Sequence, residues 1–257
     1  MTGRIVLLGH GIGYSASPAM LNAAFQETEL PLRYELADVP AAGLPAAIQA
    51  LRDGDMVGAN VTTPHKVAVL ELADDVDPSA ERAGGANVIV RRDGRLVAHS
   101  TDLRAIAEEL HALGLEPKRR AVVLGAGGAA RATVRALADD GWHQVLTITR
   151  DRWATIPAEL VDARLLVNAT PIGTDSDASP VRSGALRANL GVLDLVYRPS
   201  PTRLVGDARR AGATARAGAG VLLRQAALSF ALWTGQPAPR EVMRRALRAE
   251  LGPAADV

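Results

Sequence analysis

The sequence has no cysteine among its 257 residues, no early apolar run behind a basic flank, and no apolar segment of bilayer-spanning length. The second absence argues against a secretory leader, and the third argues against a membrane-spanning helix. We therefore expect a soluble protein of the cytoplasm with no membrane partner. The absence of cysteine adds little to this expectation, because it bears only weakly on the redox compartment.

Neither sign of charge dominates, since 29 Lys and Arg residues face 28 Asp and Glu residues. No basic block is interleaved with aromatic residues, so the composition indicates no nucleic-acid partner. The five histidines lack metal-ligand spacing and no serine lies in a nucleophile elbow, so we predict neither a metal site nor a serine hydrolase. A small neutral or acidic ligand fits better, and 48% hydrophobic residues can bury two domain cores.

Lysine is almost absent, because only Lys66 and Lys118 among the 29 basic residues are lysines. Lys66 ends the stretch NVTTPHK, in which Thr63 can cap a helix that begins at Pro64. A cation in the first turn of that helix would face the positive end of its dipole, which favours the neutral amine that acid/base chemistry needs. The alternative is a solvated surface lysine with no role.

Strand and helix patterns alternate through the first hundred residues, which predicts a parallel sheet with its loops gathered at the strand ends. A hairpin then turns at Asp93–Gly94, and a helical pattern from Asp102 to about Gly114 leads into a second unit. The strand-like runs are 4–9, 32–39 and 56–62, and the helical runs between them are 17–27 and 45–52.

The second unit begins with a strand, a glycine-rich turn, a helix and another strand within about thirty residues, as in a dinucleotide-binding βαβ half. Gly125, Gly127 and Gly128 can let a pyrophosphate approach the helix N-terminus, although a tight turn without a ligand would also explain them. The next strand ends in Arg150 and Asp151, of which the arginine favours NADP and the aspartate favours NAD.

The rest of the chain continues the α/β pattern. Segments 163–170 and 190–197 are predicted strands, 201–212 is a predicted helix closed by Gly212, and 220–235 is a predicted apolar helix. A last helix over 239–250 is expected to pack on the first domain. The predicted fold class is therefore α/β, with an N-terminal α/β domain, a Rossmann-type dinucleotide-binding domain, and C-terminal helices that return to the first domain.

Four further polar residues have structural as well as functional interpretations. Asp102 lies where a helix N-cap belongs, so capping alone would explain it. Ser15 and Ser17 can cap the helix that begins at Pro18, or their hydroxyls can bind a carboxylate. Gln225 lies on an apolar helix face, where its amide needs partners.

The order of these motifs resembles the shikimate dehydrogenase family from about residue 5 to about residue 236. The resemblance rests on SASP at 15–18 with Asn22, NVTTPHK at 60–66, GGAN at 84–87, STD at 100–102, GAGGAARA at 125–132, NATPIG at 168–173, DLVYRPSPT at 194–202, and GAGVLLRQAALSFALWTG at 218–235. It implies a substrate-binding catalytic domain over 1–103, completed by 220–257, and a Rossmann-like NADP domain over 104–219.

The resemblance also implies roles for individual residues. Lys66 and Asp102 would form the catalytic pair, with Lys66 accepting the hydroxyl proton as hydride leaves the same carbon. Substrate-binding residues would be Ser15, Ser17, Thr62, Asn87, Tyr197 and Gln225. Cofactor-binding residues would be Gly125, Ala126, Gly127, Gly128, Ala129, Thr149, Arg150, Arg152, Asn168, Thr170 and Gly218. The cofactor would be NADP, with NAD as the alternative.

Several positions depart from the family pattern. Gly11, Tyr14 and Leu21 replace proline and two histidines, Ser100 replaces the asparagine before Thr101, and residues 149–151 read TRD in place of NRT. Only 17 residues separate Arg150 from Asn168, about half of what the resemblance implies. The nucleotide domain is therefore expected to be shortened around 152–167, by much of a helix and the next strand.

The leading interpretation is a reversible NADPH-dependent reduction of 3-dehydroshikimate to shikimate, as part of aromatic amino acid biosynthesis by the shikimate pathway. Quinate or an aminoshikimate could replace shikimate. A non-redox alternative is a binder or lyase of a shikimate-like carboxylate that has lost full cofactor binding. The protein is expected to act as a monomer or homodimer.

Overall fold

The computed structural model describes residues 3–115 and 119–257 and divides the chain into two compact units. The first unit comprises 1–102 and 223–250, and the second comprises 103–222 and 251–257. The sequence analysis assigned all of 220–257 to the first domain, whereas the structure groups 220–222 and 251–257 with the second unit. There Asp256 Oδ2 lies 2.5 Å from Arg209 Nη2 and accepts a hydrogen bond from the Ala217 amide.

The first unit is built on a six-stranded mixed sheet. Its strand order is β2-β1-β3-β5-β6-β4, in which β2, β1 and β3 run parallel and β5 is antiparallel to β3. The strands are β1 (Gly3–Gly9), β2 (Leu32–Asp38), β3 (Gly58–Val61), β4 (Asp75–Val76), β5 (Val88–Arg92) and β6 (Arg95–His99). The helices numbered within or entering this unit are α1 (Ser17–Glu27), α2 (Leu44–Asp53), α3 (Pro78–Ala83), α8 (Ala219–Thr234) and α9 (Arg240–Leu251).

The predicted hairpin is confirmed. Strands β5 and β6 pair antiparallel, and Asp93 and Gly94 both have positive φ, as a two-residue turn of the hairpin type requires. The carboxyl ends of the parallel strands β2, β1 and β3 lie at one edge of the sheet. Consequently the loops after Gly9, Asp38 and Val61 start side by side.

The second unit is a five-stranded parallel sheet in the order β11-β10-β9-β7-β8. Its strands are β7 (Arg120–Leu124), β8 (Gln144–Ile148), β9 (Ala163–Asn168), β10 (Gly191–Asp194) and β11 (Thr214–Ala217). Its helices are α5 (Gly128–Asp139), α6 (Ile156–Leu160) and α7 (Arg203–Arg210), together with all but the first residue of α4 (Asp102–His111).

Strand β8 is the last strand on its side of this sheet, in agreement with the short connection that follows it. A 3-10 helix (Arg150–Thr155) and the five-residue α6 lead directly to β9. Apolar side chains of α6 and α7 fill the core on one face of the sheet, and those of α4 and α5 fill the core on the other. Both faces of the strands are therefore covered, as a parallel sheet requires.

Gly218 follows β11 in contact with the loop after β10. A Cβ at this position would lie 2.2 Å from the Leu195 carbonyl oxygen, and the Gly218 amide donates to the Val196 carbonyl. Gly184 provides a contrast, because a Cβ there would meet no atom within 4 Å. The backbone packing alone thus requires glycine at 218.

We expect Gly218→Ala to destabilise the protein by roughly 1–3 kcal/mol, because the new methyl group must displace a backbone carbonyl. Gly184→Ala is the matched control and should change stability by less than about 0.5 kcal/mol. Urea denaturation of both variants measures the difference. Equal free energies of unfolding for the two variants would contradict the prediction, because they would show that the loop after β10 can move aside without a cost in stability.

Candidate active site and dinucleotide site

Lys66 does not lie in the helix that the sequence predicted. Residues 62–67 form turns, the Thr63–Pro64 peptide is cis, and the next regular element is a 3-10 helix at Ala68–Glu71. The helix prediction was wrong because Thr-Pro is a local signal, whereas contacts with other parts of the unit determine this loop. The argument from the helix dipole therefore does not apply to Lys66.

Backbone and side-chain hydrogen bonds hold the loop instead. The His65 amide donates to the Thr62 carbonyl, and the buried His65 ring places Nε2 2.7 Å from the Val39 carbonyl oxygen. The Lys66 carbonyl accepts from the Ala86 amide at 2.8 Å. A Cβ at Gly85 would lie 3.2 Å from that same carbonyl oxygen, which explains a glycine at this position of the GGAN motif.

The Lys66 side chain ends on the Asp102 carboxylate, with Nζ 2.6 Å from Oδ2. The side chain of Lys66 is 26% exposed and that of Asp102 is 9% exposed. A carboxylate with so little access to water needs donors from the protein. Asn87 Nδ2 and Gln225 Nε2 supply them, at 2.9 and 2.7 Å from Oδ1.

Asp102 is the first residue of α4. Its carboxylate binds the side chains of Lys66, Asn87 and Gln225, which come from three other parts of the first unit. Asn87 is itself fixed, since its Nδ2 donates to Thr101 Oγ1 and its Oδ1 accepts from the Thr101 amide, each at 2.8 Å. The predicted need of Gln225 for a polar partner is met by Asp102. The four residues form a Lys–Asp pair with two amides that orient the carboxylate.

The remaining predicted substrate residues of this unit lie on two loops at the carboxyl ends of β1 and β3. Ser15 Oγ lies 3.2 Å from Ser17 Oγ and accepts from the Ser17 amide. Helix α1 has Ala16 as its N-cap residue, without a side-chain cap, so capping does not account for the two hydroxyls. Thr62 is half-buried and its amide donates to the Leu8 carbonyl. Tyr197 belongs to the second unit, half-buried three residues after β10.

The predicted dinucleotide residues all lie in the second unit, at or just beyond the carboxyl ends of β7, β8 and β9, except Gly218, which follows β11. Gly125 has φ +114°, and a Cβ there would lie 2.9 Å from the Ala169 carbonyl oxygen. Gly127 is the N-cap residue of α5, where a Cβ would meet no atom within 4 Å. Open space above a helix N-terminus without acidic residues in its first turn fits a phosphate group.

In the TRD segment at 149–151, the side chains of Arg150 and Asp151 have different partners. The Asp151 carboxylate accepts a hydrogen bond from Thr149 Oγ1 at 2.5 Å, and this bond lowers the pKa of Asp151. Arg150 stacks its guanidinium on the Trp153 ring at 5.7 Å, and Arg152 lies 3.6 Å from Glu159. Arg150 is exposed, so its cationic group remains available to a phosphate.

Asn168 and Thr170 are organised by a buried carboxylate. Asp194 accepts from Asn168 Nδ2 at 2.8 Å, from Thr202 Oγ1 at 2.7 Å and from the Val196 amide at 3.1 Å. Asn168 Oδ1 in turn accepts from the Thr170 amide and hydroxyl. Burial raises the pKa of Asp194 to about 6, against the opposing effect of its three donors.

Sequence reasoning missed a buried polar group beneath Asn87, formed by Tyr34, Asn60 and Ser229. Tyr34 Oη donates to Asn60 Oδ1, and Asn60 Nδ2 lies 3.0 Å from Ser229 Oγ. Two signals were present: Asn60 interrupts an apolar strand, and Ser229 follows Gln225 by one helical turn on an apolar helix.

Two properties of the described residues limit the chemistry. Within 3–115 and 119–257, no three His, Asp or Glu side chains are grouped so as to hold a metal ion. No helix in the same ranges is long and apolar enough to cross a membrane.

A Lys–Asp pair in one α/β unit and a phosphate-binding turn in a Rossmann-type unit define a dinucleotide-dependent oxidoreductase. Family models agree: the shikimate dehydrogenase substrate binding domain matches residues 7–89, and the shikimate 5'-dehydrogenase C-terminal domain matches 218–248. The NADP(+) shikimate dehydrogenase of Methanopyrus kandleri is 41% identical, covering 96% of this chain and 95% of the relative. The chain therefore belongs to the shikimate dehydrogenase family.

Solved structures agree over nearly the whole chain. Thermus thermophilus shikimate 5-dehydrogenase in complex with NADP(H) and shikimate is 36% identical with a TM-score of 0.87, covering 97% of this chain and 100% of that chain. The ligand-free 5-ketofructose reductase of Gluconobacter sp. strain CHM43 is 31% identical with a TM-score of 0.84, covering 97% and 99%. The predicted family and fold class are confirmed.

Asp194 makes stability depend on pH. An acid whose folded pKa of about 6 exceeds its unfolded value near 3.8 stabilises the fold below pH 4, and this contribution is lost as pH rises through 6. Asp194→Asn can keep the same partners, because the Thr202 hydroxyl can rotate to accept. We expect this variant to gain up to roughly 3 kcal/mol relative to the wild type between pH 4.5 and 8.

Urea denaturation of wild type and Asp194→Asn at both pH values measures this difference. Asp38→Asn is the control, since the pKa of that exposed carboxyl is lowered by its hydrogen bond with His10 and its pH effect has the opposite sign. A constant gap between wild type and Asp194→Asn across this range would contradict the prediction.

Proposed function

We propose that the protein catalyses the reversible NADPH-dependent reduction of 3-dehydroshikimate to shikimate. The observation that supports this most strongly is the contact of Lys66 Nζ with the Asp102 carboxylate, itself oriented by Asn87 and Gln225. A nicotinamide cofactor, when bound, accepts or supplies the hydride at the reacting carbon. The chain's own residues then bind the ring, orient the hydroxyl and move its proton.

Lys66 is proposed to accept the hydroxyl proton during oxidation and to return it during reduction. An amine can do this, whereas an arginine in its place would keep its proton. Asp102 holds the Lys66 amine at a defined position. In this proposal, Ser15, Ser17 and Tyr197 bind the substrate carboxylate, and Thr62, Asn87 and Gln225 bind ring hydroxyls or the groups next to them.

The proposed cofactor residues divide by the part of the dinucleotide that they would bind. The amides of Ala126, Gly127, Gly128 and Ala129 would hold the pyrophosphate at the start of α5, and Gly125, whose own amide donates to the Ile148 carbonyl, would form the close turn below it. Thr149, Arg150 and Arg152 would hold the adenosine phosphate, and Asn168, Thr170 and Gly218 would border the remaining nucleoside. NADP is favoured over NAD because Asp151 is turned to Thr149, whereas Arg150 presents its charge to solvent.

Two related substrates deserve a direct comparison. Quinate and aminoshikimates share the carboxylate of shikimate, and Tyr14 and Ser100 alter loops of the proposed ring site. The relative from Gluconobacter is named a 5-ketofructose reductase, and that ketose has no carboxylate. The adjacent hydroxyls of Ser15 and Ser17 favour a carboxylate substrate, so we place shikimate first.

We further propose that the enzyme works in the cytoplasm as a monomer or homodimer. Its product would serve aromatic amino acid biosynthesis. The near-zero net charge and the absence of a basic aromatic surface argue against a nucleic-acid partner.

The test of this function is the absorbance of reduced nicotinamide after mixing the protein with shikimate and NADP⁺ or NAD⁺. We expect turnover with NADP⁺, and we expect Lys66→Ala to lower kcat at least about 100-fold because it removes the proton acceptor. Arg104→Ala, which alters an exposed ion pair on α4, should retain wild-type rates. Reduction of 5-ketofructose by NADPH without oxidation of shikimate by NADP⁺ would refute the assigned substrate, and turnover of neither compound would favour a non-redox ligand binder.

The cofactor preference has its own test. Arg150→Ala should lower kcat/KM for NADP⁺ by roughly tenfold or more, since a cationic partner of the extra phosphate is lost. The same variant should change kcat/KM for NAD⁺ by less than about threefold. Arg95→Ala in the first unit is the control, because that exposed arginine pairs with Asp75 and lines no part of the proposed nucleotide site. Equal losses with both nucleotides would assign Arg150 a structural role.

A further inference from the structure

Asn60 is a polar residue inside β3, whose other three residues are buried. Its Nδ2 group donates to the Asn87 carbonyl at 2.8 Å and to Ser229 Oγ at 3.0 Å. One amide nitrogen therefore joins the segment that carries Asn87 to the helix that carries Ser229. These partners lie 27 and 169 positions from Asn60 along the chain.

The Oδ1 atom of the Asn60 amide has a partner of its own. Tyr34 is 2% exposed, and its hydroxyl donates to Asn60 Oδ1 at 2.8 Å. Because the Asn87 carbonyl can only accept, it requires the amide nitrogen on its side and leaves Oδ1 to the Tyr34 hydroxyl, which donates. The Tyr34 ring is held beside the Trp233 ring, with centroids 6.2 Å apart.

Ser229 connects Asn60 to the main chain of Gln225. Its side chain is fully buried, and its hydroxyl donates to the Gln225 carbonyl at 2.9 Å. Asn60 is thereby linked to the main chain of Asn87 directly and to that of Gln225 through Ser229. The side chains of Asn87 and Gln225 are the two donors that meet at the same Asp102 oxygen, Oδ1.

We propose that Tyr34, Asn60 and Ser229 form a positioning relay that holds Asn87 and Gln225 on Asp102. Tyr34 and Ser229 are buried and need not contact the substrate. The relay keeps both donors on Oδ1 and so leaves Oδ2 to Lys66. Its effect on turnover rests on the proposed function, whereas its effect on the two amides is a property of the fold alone.

Ser229→Ala is the sharpest variant, because it removes one hydroxyl from the relay and adds no atom. Thr234→Val is its matched control. Thr234 lies at the end of the same helix and its hydroxyl also donates to the carbonyl four residues earlier, that of Phe230, at 2.8 Å. Tyr34→Phe tests the other end of the relay while keeping the ring that packs against Trp233.

In steady-state kinetics with shikimate and NADP⁺, we expect Ser229→Ala and Tyr34→Phe to lower kcat by about three- to tenfold, the effect of one buried hydrogen bond. KM for shikimate should change by less than about twofold, and Thr234→Val should keep the wild-type kcat. Equal losses of kcat in Ser229→Ala and Thr234→Val would show that the loss comes from a less stable helix. That result would overturn the relay.

A second measurement needs no turnover. In ¹H–¹⁵N spectra, the side-chain amide signals of Asn87 and Gln225, assigned with Asn87→Asp and Gln225→Glu, should move in Ser229→Ala and stay in place in Thr234→Val. If the wild type does not oxidise shikimate, moved signals still support the relay while the proposed function fails. Unmoved signals overturn the relay whatever the activity.

Discussion

The burial of the Asp102 carboxylate is the constraint on which the first unit's polar interior depends. A charged group with little access to water destabilises a fold unless cations and hydrogen-bond donors surround it. Lys66, Asn87 and Gln225 meet this need, and they come from three distant segments of the chain. The carboxylate therefore ties the loop after β3, the approach to β5 and helix α8 to the start of α4.

A second buried carboxylate, Asp194, has a different environment and a different consequence. Its partners are an amide, a hydroxyl and a backbone N–H, with no cation among these contacts. Neutral donors compensate burial only in part, so the pKa of Asp194 rises to about 6. This arrangement suits a residue that holds two loops together, whereas the Lys–Asp pair suits proton transfer.

Sequence patterns predicted the elements whose signals are local. The hairpin at Asp93–Gly94 and the helix over 220–235 agree with β5–β6 and with α8, because turn chemistry and apolar spacing are properties of a few adjacent residues. Lys66 was selected from its rarity and motif, but the helix expected around it was wrong. The link from Asn60 to Ser229 spans 169 positions, and no local signal reports a contact over that separation.

The short connection after β8 has a limited effect on the dinucleotide site for a topological reason. The phosphate-binding turn follows β7, and its Gly125 lies against Ala169 after β9, so the turn is built between two adjacent central strands. A ligand crevice forms where two adjacent strands continue over opposite faces of the sheet. Here α5 after β7 packs on one face, and Val181, Leu186 and Leu190 after β9 pack on the other.

The outer side of α5 is open where the sheet ends at β8. A cavity of about 320 Å³ runs along this helix from Ala126 to Ala138 and reaches Thr147 on the edge strand β8. Arginines 131 and 135 also line it, so the face beyond β8 is cationic as well as open. The turn that fits a pyrophosphate is thus separate from the connection after β8, and in the proposed function the contacts to the adenosine end come from β8 and the residues that directly follow it.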